Sequence, residues 1–146
     1  MKITNRADYA LHAMLYLASI NGAHPATIDE IAEAENIPRE YLAKILSELR
    51  RAGFIKPQHG RDGGYFLTQP RSETTFLGII EAMDGPLDPS NCTKPEGKRI
   101  GHMKGKCPAY QQFDKIKRGL VRDLGAINLG EIPYEEFYPA TKKKGK

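Results

Sequence analysis

The sequence predicts a mainly α-helical protein with a small β-hairpin and a long C-terminal helix. Capping residues and apolar residues at helical spacing divide the first part of the chain into consecutive helices, and two short strands around a glycine-rich turn follow the third helix. Further on, a stretch rich in proline and glycine precedes a last helical segment. A chain of 146 residues is expected to form one compact domain with at most an appendage.

The first helix is predicted over residues 5–20. Apolar residues recur there at intervals of three and four, and either Thr4 or Asn5 can cap the start. The apolar stripe consists of Ala7, Leu11, Met14, Leu15 and Ala18.

The next two helices are separated by a short turn. Thr27 and Glu30 have the spacing of a capping box, in which the carboxylate reaches back to the start of the helix, so a second helix is predicted to begin near Ile28. It is expected to end near Asn36. A third helix is predicted over residues 38–52, because Pro38 suits the first turn of a helix. The third helix is amphipathic, and its predicted inner face consists of Leu42, Ile45, Leu46 and Leu49. This pattern is typical of a helix-turn-helix.

A β-hairpin is predicted directly after the third helix. Residues 54–56 and 65–67 form its strands, and residues 59–64 form its turn. A glycine-rich turn alone indicates no more than a tight hairpin. Because this turn follows an amphipathic helix that carries Lys44 and Arg51, we interpret the unit as a winged helix-turn-helix that contacts duplex DNA.

The outward face of the third helix supplies the predicted DNA contacts. Its N-terminal part is expected to read bases and its C-terminal part to neutralise phosphates. The glycines of the wing allow a close backbone approach to DNA, and a wing side chain can enter the minor groove. The candidates are Arg39, Glu40, Tyr41, Ala43 and Lys44 for base reading, Arg50 and Arg51 for phosphates, and His59 and Arg61 in the wing. For each charged side chain, the alternative is simple solvation.

The rest of the chain contains two more predicted helices. One of about ten residues begins near Phe76 and stops at Gly85. A second begins at Pro108 and carries an apolar seam, which suits packing either on a second copy of the chain or on the chain's own core; we favour a homodimer. The seam consists of Phe113, Ile116, Leu120, Leu124 and Ile127. The predicted division is a DNA-binding domain over 1–85, a cysteine-containing sensor loop over 86–107, a dimerisation helix over 108–132 and a partly disordered tail over 133–146.

Several classes of protein are disfavoured. No segment has the roughly 20 apolar residues of a membrane span or the apolar stretch of a signal peptide, so we expect a cytoplasmic protein without a membrane partner. The net charge of +4 and the pI of about 9.0 favour an anionic partner only weakly, because four lysines lie in the C-terminal tail. We find no pairing of nucleophile and base and no phosphate-binding loop, so the chain is not expected to be an enzyme.

Five sequence segments together resemble one family over nearly the whole chain. These are MKIT with ADYALHAMLYLA, IPREYLAKILSELRRAGFI, GRDGGYFL, FLGIIEAMDG and the cysteines just beyond it. The combination is similar to the IscR/NsrR-type family of bacterial winged-helix transcription regulators. The resemblance implies a homodimeric repressor or activator whose C-terminal helices cross at the dimer interface and whose DNA affinity depends on the occupant of a cysteine loop.

In many members of that family the occupant is an iron-sulfur cluster held by three loop cysteines and a variable fourth ligand. Here Cys92 and Cys107 resemble the first and last of these cysteines, but no cysteine lies between them. His102 is a candidate ligand within the loop, and Asp8 lies where some members supply a carboxylate, although a charge near a positive helix end explains Asp8 equally well. The resemblance implies a metal-binding, redox-sensing regulator with an iron-sulfur cluster of the 2Fe–2S type. The alternatives are a thiol-disulfide switch and a constitutive regulator without a cofactor.

Overall fold

The computed structural model describes residues 2–90, 93 and 108–138. Its elements follow one another as α1 (Asn5–Ile20), α2 (Ile28–Glu35), α3 (Arg39–Arg51), β1 (Ile55–Gln58), β2 (Gly64–Leu67), a 3-10 turn (Arg71–Glu73), α4 (Phe76–Asp84), α5 (Pro108–Ala126), a second 3-10 turn (Leu129–Glu131) and α6 (Tyr134–Phe137). The predicted fold class, helical with one antiparallel hairpin and a long C-terminal helix, is confirmed. Among the described residues, no helix has both the length and the apolar composition needed to cross a membrane.

Threonine hydroxyls cap the first two helices. The Thr4 hydroxyl accepts a hydrogen bond from the Ala7 amide at 3.1 Å, and the Thr27 hydroxyl accepts one from the Glu30 amide, also at 3.1 Å. The Glu30 carboxylate, which the capping box would direct back along α2, accepts a hydrogen bond from the Tyr16 hydroxyl of α1 at 3.4 Å. The cap of α2 therefore also connects α2 to α1.

The inner face of α3 lies in the core, as predicted. Leu42, Leu46 and Leu49 are fully buried and Ile45 is 1% exposed. Burial of each such side chain stabilises the fold by roughly 1.5–3 kcal/mol. The helix packs against α1 and α2, so the opposite face of α3 is held toward solvent.

The hairpin is joined to the turn between α1 and α2. β1 and β2 pair in antiparallel register from Ile55 with Leu67 to Gln58 with Gly64. Strand β1 continues through Pro57, beyond the predicted end of the strand, because an edge strand tolerates a residue without an amide hydrogen. Ala26 then adds a bridge to Tyr65 through two backbone hydrogen bonds of 3.0 and 2.8 Å.

The chain after α5 returns to the core. Helix α5 ends at Ala126, and the next residues pair with the segment before α4, where Thr74 accepts a hydrogen bond from the Leu129 amide at 2.9 Å. Leu129 is fully buried and Tyr134 is 5% exposed, and the Tyr134 hydroxyl donates to the Leu129 carbonyl at 2.7 Å. Tyr134, at the start of the predicted tail, therefore lies in the core.

Candidate nucleic-acid interface

The predicted base-reading residues lie together on the outward face of α3. Arg39, Glu40, Ala43 and Lys44 are all exposed. Tyr41 is 40% exposed, and its ring meets the ring of Tyr9 edge-on, with a centroid distance of 5.5 Å. The face therefore offers charged groups and a partly supported aromatic ring to a partner that approaches α3.

An ion pair joins the start of α3 to α2. Arg39 Nε donates to Asp29 Oδ1 at 2.6 Å, and 60% of the Arg39 side chain and 73% of the Asp29 side chain remain accessible. No local sequence pattern indicates this pair, because the two residues lie on different helices of the helix-turn-helix.

The C-terminal part of α3 presents the predicted phosphate contacts. Arg50 and Arg51 are exposed in its last turn, and Lys56 is exposed on β1 nearby in the chain. On the inner side, Arg6 of α1 bonds Glu48 of α3 at 3.2 Å and also donates to the Met83 carbonyl of α4. Arg6 of α1 thus connects α3 and α4, a role that the sequence pattern did not indicate.

The wing carries His59 and Arg61 on its exposed turn. Its glycines have different roles. A Cβ atom at Gly60 would meet nothing within 4 Å, whereas a Cβ at Gly63 would lie 2.3 Å from the Gln58 carbonyl oxygen and a Cβ at Gly64 would lie 2.5 Å from the Ala26 carbonyl oxygen. The close approach that Gly63 and Gly64 allow is therefore to the protein's own backbone, whereas Gly60, like His59 and Arg61, is open to a partner.

The end of α2, just before the turn into α3, is covered by the C-terminal segment. The Tyr138 side chain hydrogen-bonds the Glu35 carboxylate and packs edge-on against Tyr16, with a centroid distance of 6.1 Å. Burial raises the pKa of Glu35 above its usual value and raises the pKa of Tyr16 to about 12. Burial, followed by the charge of Glu35, also raises the pKa of Tyr138. Burial thus shifts the pKa of each of these groups in the direction of its neutral form, as expected for a contact between helix and tail.

The predicted cluster ligands Cys92, His102 and Cys107 lie outside the described residues. Asp8 is exposed in the first turn of α1, and its carboxylate lies 3.5 Å from Nδ1 of His12. Within the part of the chain that the structure describes, no three His, Cys, Asp or Glu side chains are grouped to hold a metal ion.

The residues that flank Cys92 are attached to α5. Lys117 Nζ lies 2.7 Å from Asp88 Oδ1 and donates to the Thr93 carbonyl at 3.0 Å. The Asp88 side chain is only 8% exposed. The start of the cysteine-containing segment is thus held against the long C-terminal helix by a largely buried ion pair.

The comparison with solved structures supports a fold shared with transcription regulators. CymR (YrzC), the global cysteine regulator of B. subtilis, is 27% identical, with a TM-score of 0.75 over 90% of this chain and 95% of that one. The oxidized form of Staphylococcus aureus CymR is 30% identical, with a TM-score of 0.66 over 88% of this chain and 93% of that one. T. potens IscR, at 23% identity, shares the fold, with a TM-score of 0.75 over 96% of this chain and 91% of that one.

The match to a family is equally extensive. Residues 3–134 match the family described as Rrf2, iron-dependent transcriptional regulator, and this range includes the helix-turn-helix, the wing, α5 and the start of α6. The prediction that the chain is not an enzyme is confirmed by this match, because the family consists of transcriptional regulators. The chain belongs to the Rrf2 family of DNA-binding transcriptional regulators.

Proposed function

We propose that this regulator binds duplex DNA as a homodimer, with the outward face of α3 in the major groove and the wing at the adjacent minor groove. We further propose that the state of the loop bearing Cys92 and Cys107 sets its affinity for an operator. The exposed basic face of α3, which a buried apolar face holds toward solvent, is the observation that carries the DNA-binding proposal.

The roles of individual residues follow from their positions on that face. Arg39, Glu40, Tyr41, Ala43 and Lys44 lie in the N-terminal half of α3, the part of a recognition helix that reaches base edges. Arg50 and Arg51 lie in the last turn and are assigned to phosphates, and His59 and Arg61 are assigned to the minor groove.

A salt titration tests these roles. The double variant Arg50→Ala/Arg51→Ala is expected to weaken binding to a duplex and to reduce the slope of log K against log salt by about 2, since each lost phosphate contact removes about 0.9 from the slope. The control is Lys115→Ala/Arg122→Ala, which removes the same charge from exposed positions on α5. An unchanged slope in the first variant, or an equal change in both, would contradict the assignment.

The dimer proposal rests on α5. None of its described residues is fully buried, and Ile116 in the predicted seam is 51% exposed. The C-terminal end of the helix packs on α4 of its own chain, where a Cβ at Gly125 would lie 3.4 Å from Leu77. A seam left open in the single chain is what a second copy would cover. Ile116→Asp is expected to convert dimer to monomer in sedimentation velocity, whereas Lys115→Asp is not.

The proposal for the loop rests on its attachment and its donor atoms. Lys117 links the residues around Cys92 to α5, so a change in the loop can reach the proposed dimer interface. The two thiols and the imidazole of His102 are donors of the kind that hold iron-sulfur clusters, but a cluster takes four ligands. The chain therefore fits a 2Fe–2S cluster only if a further ligand, such as Asp8 of the second subunit, completes the set.

Spectroscopy of anaerobically purified protein separates the alternatives. A visible absorption band with iron and sulfide, absent in Cys92→Ala, supports a cluster. A colourless protein whose DNA binding responds to oxidant but not to chelator indicates a thiol-disulfide switch. A colourless protein whose binding responds to neither indicates a constitutive regulator.

A further inference from the structure

The ion pair between Asp29 and Arg39 points to a specificity-determining residue outside the recognition helix. We propose that Asp29 positions the Arg39 guanidinium so that its two terminal amino groups read a guanine in the major groove. This inference rests on the proposed function, since it requires α3 to lie in that groove.

The hydrogen-bond geometry leaves the correct edge of the guanidinium free. Asp29 Oδ1 accepts a hydrogen bond from Arg39 Nε at 2.6 Å. A guanidinium has five N–H donors in a planar fork, and with Nε occupied, the edge formed by Nη1 and Nη2 remains. That edge matches the O6 and N7 acceptors of guanine, which the fork can bind through two parallel hydrogen bonds.

The backbone around the turn holds the two residues in a defined relation. Asn36 ends α2 in the left-handed conformation, with a φ of 52°. Pro38 precedes α3 with a φ of −56°. Arg39 is the first residue of α3, and Asp29 lies in the first turn of α2. A long arginine side chain at such a position is otherwise free to adopt many rotamers, and the carboxylate restricts them before DNA arrives.

The two possible roles of Asp29 make opposite predictions. A carboxylate that serves only as a favourable charge at the start of α2 would repel nearby phosphates, so its removal should raise affinity for every DNA sequence. A carboxylate that positions Arg39 should instead be needed for discrimination at one base pair, because a well-placed arginine pair with guanine contributes most where that base is present.

The test compares Asp29→Ala with Glu33→Ala, which removes an exposed carboxylate from the same helix. The preferred site is selected from a randomised duplex with the full-length protein, and affinities are measured by fluorescence anisotropy for that site and for each single-base change. Circular dichroism melting confirms that each variant is folded.

The expected result is a guanine preference in the wild type of roughly 5- to 150-fold. Arg39→Ala should abolish this guanine preference, and Asp29→Ala should remove most of it. The double variant Asp29→Ala/Arg39→Ala should lose no more of the preference than Arg39→Ala alone. Glu33→Ala should keep it. The inference is overturned if Asp29→Ala raises affinity for all duplexes equally, as Glu33→Ala does, or if Arg39→Ala lowers affinity without changing base preference. Failure of the wild type to bind any duplex would overturn the proposed function itself, and the inference with it.

Discussion

Replacement of Gly64 by alanine should detach the wing from the body of the protein. The new Cβ would lie 2.5 Å from the Ala26 carbonyl oxygen and 2.7 Å from the Ala26 carbonyl carbon. These are backbone atoms of a fully buried residue, so no flexible side chain can move aside. Either β2 or the turn before α2 must shift, and the two hydrogen bonds between Ala26 and Tyr65 must break or lengthen.

The cost can be estimated from those two bonds. Each contributes about 0.5–1.5 kcal/mol to the free energy of unfolding, so their loss should lower it by about 1–3 kcal/mol. The wing would then sample positions away from α2, and we expect weaker binding to duplex DNA as well.

Urea unfolding and amide hydrogen exchange test this expectation. Gly64→Ala should shift the urea midpoint downward and lose protection at the Ala26 and Tyr65 amides. The control is Gly60→Ala at the open tip of the wing, where the cost is confined to the local φ of +113° and both amides should stay protected. If Gly64→Ala keeps its urea midpoint and the protection of both amides, the close contact with Ala26 does not hold the wing.

Three further predictions concern stability. Burial raises the pKa of the Glu35 carboxyl, so the folded state holds the proton more tightly than the unfolded state. The free energy of unfolding should therefore fall as pH rises from about 4.5 through the raised pKa. Glu35→Gln should remove this pH dependence from urea midpoints measured across the same range. Lys117→Met leaves the largely buried carboxylate of Asp88 without its ion-pair partner and should lower the free energy of unfolding in urea by about 3 kcal/mol. Adding Asp88→Asn should restore much of this loss. An equally unstable double variant would count against the ion pair as the cause. Gly119→Ala adds a Cβ that, among the described residues, would meet only the end of the Arg122 side chain at 3.7 Å, so it should stabilise α5 by about 1 kcal/mol in thermal unfolding. A lower melting temperature would contradict this expectation.

The helices of the first half were predictable because their signals are local. The bounds predicted for the first helix, residues 5–20, are those of α1, and the predicted inner face of the third helix is the buried face of α3. Capping threonines, turn residues and apolar spacing act within a few residues of each other, so they are visible in a linear sequence.

The end of the chain was less predictable for the same reason. Helix α5 stops at Ala126, and Ile127 and Leu129 then find backbone partners in Phe76 and Thr74, which lie 51 and 55 residues earlier in the chain. No local pattern marks such a pairing. Tyr134 has the aromatic character of a core residue, but it follows a proline in a short segment without periodicity.

The outward face of α3, which we propose binds DNA, could be identified from the amino-acid order, because amphipathic spacing in α3 decides which side chains cannot be buried. The connections that hold this face required the folded chain: Arg39 with Asp29, Arg6 with Glu48, and Gly64 against Ala26. Each joins residues on different elements, and hydrogen bonds and van der Waals contacts depend on distances that only packing sets. Residue types and their periodicity therefore indicated a DNA-binding regulator, whereas the support of its recognition helix and wing comes from tertiary contacts.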